Sequence, residues 1–119
     1  MDTVQKNEKV SVAIKAHFAW FDRLKSAITD GKSEFKPETV RVDNNCEFGK
    51  WVYSDLRKIC PDEKTFTELK DIHAEFHQKA GEILAMALRG EKDAAAKEII
   101  AGSRLYALSG KLVLILRRL

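Results

Sequence analysis

Apolar residues recur at steps of three and four along most of this chain, and nowhere do apolar and polar residues alternate between turn signals. The recurring pattern is that of amphipathic helices; an alternating one would have marked strands. From Val4 to about Asp30 the apolar set is Val10, Ile14, Phe18, Phe21, Leu24 and Ile28, a first helix that Gly31 stops. The stretch to Asn45 carries Pro37, several charges and little periodicity. It reads as a connection longer than bundle loops usually are, and connections of that size are functional or tied down. Asp43, Asn44 and Asn45 offer N-caps for a short second helix from Cys46 to about Ile59. Pro61-Asp62-Glu63 opens a third, whose Phe66, Leu69, His73, Phe76, Ala80, Leu84 and Ala87 share one face until Gly90. A fourth runs from about Glu91 to the end along Leu105, Leu108, Leu112, Ile115 and Leu119. The expected fold is all-α, an antiparallel four-helix bundle with one short helix.

The 119 residues, 45% of them hydrophobic, suffice for one core and are too few for two ordinary domains, so residues 1–119 are expected to form a single domain. Lys and Arg exceed Asp and Glu by 21 to 18 and are spread along the chain, a balance that suits a solvated surface and argues against a nucleic-acid partner. The longest apolar run, Leu112 to Leu116, falls far short of the roughly 20 residues that cross a bilayer. No membrane segment and no secretory leader are expected, and the localisation implied is cytoplasmic. In a reducing compartment the two cysteines, Cys46 and Cys60, do not form a structural disulfide and are read separately.

The three histidines are the informative residues. At about 100° per residue, His17 falls within the apolar stripe of the first helix. His73 and His77, at i and i+4, fall close to the line through Phe66, Leu69, Ala80 and Leu84. A lone histidine on an apolar face is usually a core residue satisfied by one hydrogen bond. Three together leave six ring nitrogens to satisfy, a burden on folding that a metal ion relieves by taking one nitrogen from each ring. Zinc proteases also use a helical pair, with a glutamate beside the first histidine as base. Here Glu75 lies two residues past His73, about 200° round the helix, and faces away from the pair.

Cys46, at the expected start of the second helix, supplies a fourth donor, where amides and the helix dipole favour a thiolate. His17, Cys46, His73 and His77 then make a closed His3Cys shell. Four such ligands complete the tetrahedron that zinc prefers and leave no position for an activated water; ligand identity alone leaves iron and copper open. Cys60, just before Pro61, reads as a packing residue. Trp20 and Trp51 read as core, or as a lid that keeps water off the metal.

The run His17-Phe18-Ala19-Trp20, the segment Cys46-Glu47-Phe48-Gly49-Lys50-Trp51, and His73 with His77 four residues on resemble the chemoreceptor zinc-binding domain family. The resemblance implies that the family's three zinc-binding histidines and one cysteine correspond to His17, His73, His77 and Cys46. It implies a helical bundle that tends to dimerise. It also implies a cytoplasmic sensory module attached to a chemoreceptor or a diguanylate cyclase, whose output responds to zinc or to oxidation of the zinc-bound cysteine. Neither a methyl-accepting coiled coil nor a cyclase signature occurs in the 119 residues, so the chain is expected to be a stand-alone member or a piece of a longer protein.

The function expected is therefore a zinc-binding regulatory domain of bacterial signalling, not an enzyme, with zinc as cofactor and with a second copy and an output domain or protein as partners. Val113 and Leu114 lie off the stripe of the fourth helix and leave its last turns apolar over most of their circumference, which points to a homodimer. The rival readings are a permanently zinc-stapled scaffold and, far behind, a hydrolase with an open metal position.

Overall fold

A computed structural model describes residues 3–43, 46–54 and 56–119, and every regular element among them is helical. The elements are α1 (Thr3–Asp30), α2 (Pro37–Val40), α3 (Glu47–Val52), α4 (Leu56–Ile59), α5 (Glu63–Leu88), α6 (Lys92–Lys97) and α7 (Arg104–Arg117). Two long helices dominate. The 28 residues of α1 span about 42 Å, close to the 45 Å length of the molecule. Both stop where the sequence says they should: α1 gives way to Gly31, in the left-handed region at φ 70°, whose amide bonds the Ala27 carbonyl at 2.8 Å.

The core falls into two clusters along the long axis. One joins Trp20, Leu24 and Ile28 of α1 to Phe76, Ala80, Ile83, Leu84 and Ala87 of α5 and to Leu105 and Leu108 of α7. The other joins Ala13 of α1, Phe48, Trp51 and Val52 of α3, Leu56 of α4, Phe66 and Leu69 of α5, and Leu112, Ile115 and Leu116 of α7. In α1 and α5 the residue numbers rise from the second cluster to the first. In α7 they fall, so α7 runs back along both. Hydrogen bonds from Lys6 Nζ to the Leu119 carbonyl and from Lys92 Nζ to the Thr29 carbonyl tie the ends in that order.

Three sequence expectations change. The fourth helix is two helices, because the chain turns between Lys97 and Arg104, with Gly102 at φ 90° and Ser103 capping α7 through the Tyr106 amide. The Ala-rich α6 and the Leu-striped α7 are thus separate elements. The short second helix is likewise split into α3 and α4. The long connection holds a helix of its own, α2, with Pro37 at its first turn. Of the three candidate caps for the second helix, Asn44 and Asn45 lie outside the described residues, and Cys46 itself is the N-cap of α3. Phe18, counted in the apolar stripe of α1, is 50% exposed, while Leu24 and Ile28 are buried.

Candidate metal centre

Between the two apolar clusters lies a polar layer. α1 contributes His17 and α5 contributes His73 and His77; their exposures are 2%, 0% and 2%. Cys46, half-buried, enters from the start of α3. Their ligand atoms all lie within 4.8 Å of one another, and among the described residues no carboxylate belongs to the group. The Sγ of Cys46 is 3.5 Å from Nε2 of His73 and 3.5 Å from Nε2 of His77. Zinc–sulfur and zinc–nitrogen bonds of about 2.3 and 2.1 Å at a tetrahedral angle make a sulfur–nitrogen edge of about 3.6 Å. The Cys46 sulfur thus stands from the His73 and His77 nitrogens at the separation a tetrahedral ion requires, and His17 brings its donor within 4.8 Å of the other three.

Local structure sets which atom each ring presents. Nδ1 of His17 lies 2.7 Å from the Ala13 carbonyl, one turn earlier in α1, and Nδ1 of His77 lies 3.0 Å from the Val40 carbonyl at the end of α2. A carbonyl only accepts, so both Nδ1 atoms carry the proton and both Nε2 atoms present a lone pair. That is the arrangement by which ligating histidines are usually oriented. Nε2 of His17 is buried and has no protein partner, which costs free energy unless something binds it. Nδ1 of His73 is likewise buried, and among the described residues it has no brace of this kind.

Apolar rings enclose the layer. Phe48 meets His17 and His73 edge-on, with centroids 5.3 and 4.7 Å apart, and Phe76 meets His17 at 5.2 Å. Trp20 approaches His77 at 6.2 Å, whereas Trp51 packs behind Phe48 and does not face the layer directly. Burial, the largest cause, keeps all three imidazoles neutral. It lowers the pKa of His17 to about 4 against the pull of its Ala13 bond, and that of His73 to about 2 with the neighbouring histidines adding to it. His77 is also lowered by burial, opposed by its Val40 bond and by Asp43. Neutral imidazoles are what a metal needs.

Cys46 departs from expectation. Its Sγ accepts the Gly49 amide at 3.2 Å, as a helix cap does, and this amide favours the thiolate. Burial outweighs it, however, and with Asp43 nearby the thiol is held above its ordinary pKa. The capping amides alone do not make a thiolate in the metal-free chain; a bound cation would supply the missing charge.

The sequence reading did not single out Val40, whose carbonyl braces His77, and it quoted Phe48 only within a motif, without its packing on His17 and His73; the placement of Asp43 beside Cys46 and His77 also went unread. Asp43 is itself engaged, accepting the Tyr53 hydroxyl at 2.8 Å. Glu75 points outward, as expected, to Arg104 of α7. Cys60 packs against the second cluster. No helix among the described residues is long and apolar enough to cross a membrane.

A group of three buried imidazoles and one half-buried sulfur, set between helices, defines a helical domain with a donor set that could hold a metal ion. The profile of the chemoreceptor zinc-binding domain matches residues 17–84, more than half of the chain, and the chain belongs to that family. No curated protein and no solved structure matches it.

Proposed function

We propose that His17, His73 and His77, through Nε2, and Cys46, through Sγ, bind one zinc ion, and that the domain regulates a bacterial signalling output by its zinc occupancy or by the oxidation state of Cys46. The observation that carries this is the buried, unpartnered Nε2 of His17, on a residue whose ligand atom lies within 4.8 Å of three other donors. Bound zinc supplies a positive charge that holds Cys46 as a thiolate and no open position for hydrolysis. The residues divide the remaining work. His17 and His77 are oriented by Ala13 and Val40; Phe48, Phe76 and Trp20 exclude water; Cys46 couples the site to α3, because one sulfur both caps that helix and completes the shell. Cys46 is also the most accessible of the four, and a two-electron oxidant that converts its thiolate to sulfenic acid weakens it as a donor.

A donor group that, among the described residues, contains three imidazoles and a sulfur and no carboxylate supports a regulatory role over an enzymatic one. The near-complete burial of the three histidines favours the rival in which zinc is a permanent staple; reversible loss of zinc at physiological concentrations, coupled to a change in helix packing, decides for the sensor. Leu114, 58% exposed on α7, with Phe18 exposed on α1, supports a homodimer and contact with an output partner. A monomer in sedimentation at micromolar concentration overturns the dimer. Purified protein is expected to carry one zinc per chain by elemental analysis. Cys46→Ser, which keeps a good helix cap, is expected to weaken zinc about 100-fold, since structural sites bind with roughly 10–16 kcal/mol shared among four ligands. Unchanged affinity in Cys46→Ser sinks the assignment.

A further inference from the structure

Gly81 is buried in the interior of α5, one turn after His77, where glycine is among the poorest helix formers. Its backbone is ordinary for a helix, so conformational freedom does not explain it. Space does. A Cβ at this position would overlap Arg41 Cγ, stand 3.0 Å from the Pro37 carbonyl oxygen and 3.3 Å from the Arg41 amide nitrogen. The missing side chain lets the Pro37–Arg41 turn rest directly on α5. That seat brings the Val40 carbonyl within 3.0 Å of Nδ1 of His77. α2 itself has four residues and its cap, Lys36, makes no side-chain capping bond, so the seat of the turn on α5 comes from packing, with Val40 in the first core cluster.

We propose that Gly81 is a positioning residue for the metal site: its lack of a side chain seats the 37–41 turn, whose Val40 carbonyl fixes the tautomer and direction of His77. The inference rests on His77 being a zinc ligand, and it extends the site to a residue that touches no donor. It also explains what ties down the long connection between α1 and α3. Outer partners of this kind are worth roughly 10- to 100-fold in metal affinity.

The test compares wild type, Gly81→Ala, Gly81→Val, Gly81→Ala/Arg41→Ala and the control Gly110→Ala, whose Cβ would meet nothing within 4 Å. Competition titration with a zinc chelator measures affinity, and NMR of the zinc-free and zinc-loaded proteins follows the His77 Nδ1 proton. Gly81→Ala is expected to bind zinc about tenfold more weakly and Gly81→Val more weakly still. Both should lose the protected Nδ1 proton, and removal of the Arg41 stem should restore part of the affinity. Should Gly81→Ala fail to fold, the double variant lacking the Arg41 stem carries the comparison. A Gly81→Ala protein that melts higher, as helix propensity alone dictates, and keeps wild-type affinity and the Nδ1 proton overturns the inference. If wild type itself takes up no zinc, the ligand reading fails, and the Nδ1 proton of the zinc-free proteins decides the role of Gly81 alone: its loss in Gly81→Ala upholds it, its persistence overturns it.

Discussion

The three imidazoles and the sulfur stand on very different supports. His17, His73 and His77 project from helices of 28 and 26 residues that bury one face along both core clusters. Cys46 caps a helix of six residues, within a segment whose other helices, α2 and α4, have four each. Helices that short have little stability of their own; the cost of the first turn is recovered only through outside contacts. One half of the site is therefore built by the bundle whether or not metal is present. The other half depends on what it touches: the core through Val40, Phe48, Trp51, Val52 and Leu56, and the donor cluster at Cys46. A change in occupancy is expected to be felt first in residues 31–62.

The largest effect that sharpens this contrast is metal removal. With free zinc about 1,000-fold above Kd, binding stabilises the fold by about 4 kcal/mol, on the order of 15 °C in melting temperature for a chain of this size. Chelation should lower the midpoint by that amount. Amide exchange should accelerate most in α2, α3 and α4 and least in the middle of α1 and α5. A uniform loss of protection across all helices breaks the contrast, because it makes the long helices as dependent on zinc as the short ones.

The long helices were legible because periodicity and stop signals agree there. His17, His73 and His77 could be placed on inward faces by counting residues, and the fold class followed from the same count. The short half was opaque for a physical reason. The position of α2 depends on the gap at Gly81, and the turn at α3 depends on Cys46 acting as a cap, which Ser, Thr, Asp and Asn do far more often. Neither leaves a local pattern. The fourth helix is opaque differently: Gly102 and Ser103 supply a break and a cap, but a helix from Glu91 to the end follows from the Leu105 to Leu119 stripe alone. The Cys46 thiol misled because a helix N-terminus favours the thiolate while burial opposes it, and burial is not readable from spacing.

A smaller effect comes from pH in the zinc-free chain. His17 and His73 titrate near 6.5 when unfolded but only near 4 and 2 when folded, because burial disfavours the charged ring. The unfolded chain thus binds more protons below pH 6.5, and stability must fall as the pH falls from there towards the folded values. At pH 5.5 each of the two costs roughly 1 kcal/mol, and His77 adds in the same direction. Denaturant titrations of the zinc-free protein at pH 7 and 5.5 measure it. Equal stability at the two values would mean that the imidazoles are solvated without metal and that the polar layer is not prebuilt.

The smallest effect separates a cap that is only a cap from one that also belongs to the donor group. Ser103 accepts the Tyr106 amide at 3.3 Å and starts α7, a helix that supplies no donor to the polar layer. Ser103→Ala should lower stability by about 1 kcal/mol, since α7 stays anchored by Leu105, Leu108, Leu112, Ile115 and Leu116. Zinc affinity of the folded protein should not change. At Cys46 the same kind of bond cannot be judged alone, because every substitution there alters the shell as well. If Ser103→Ala also weakened zinc, measured by the same chelator competition, the start of α7 would be coupled to the donors across the core. The division between a prebuilt half and a dependent half would then have to be redrawn to include the fourth helix.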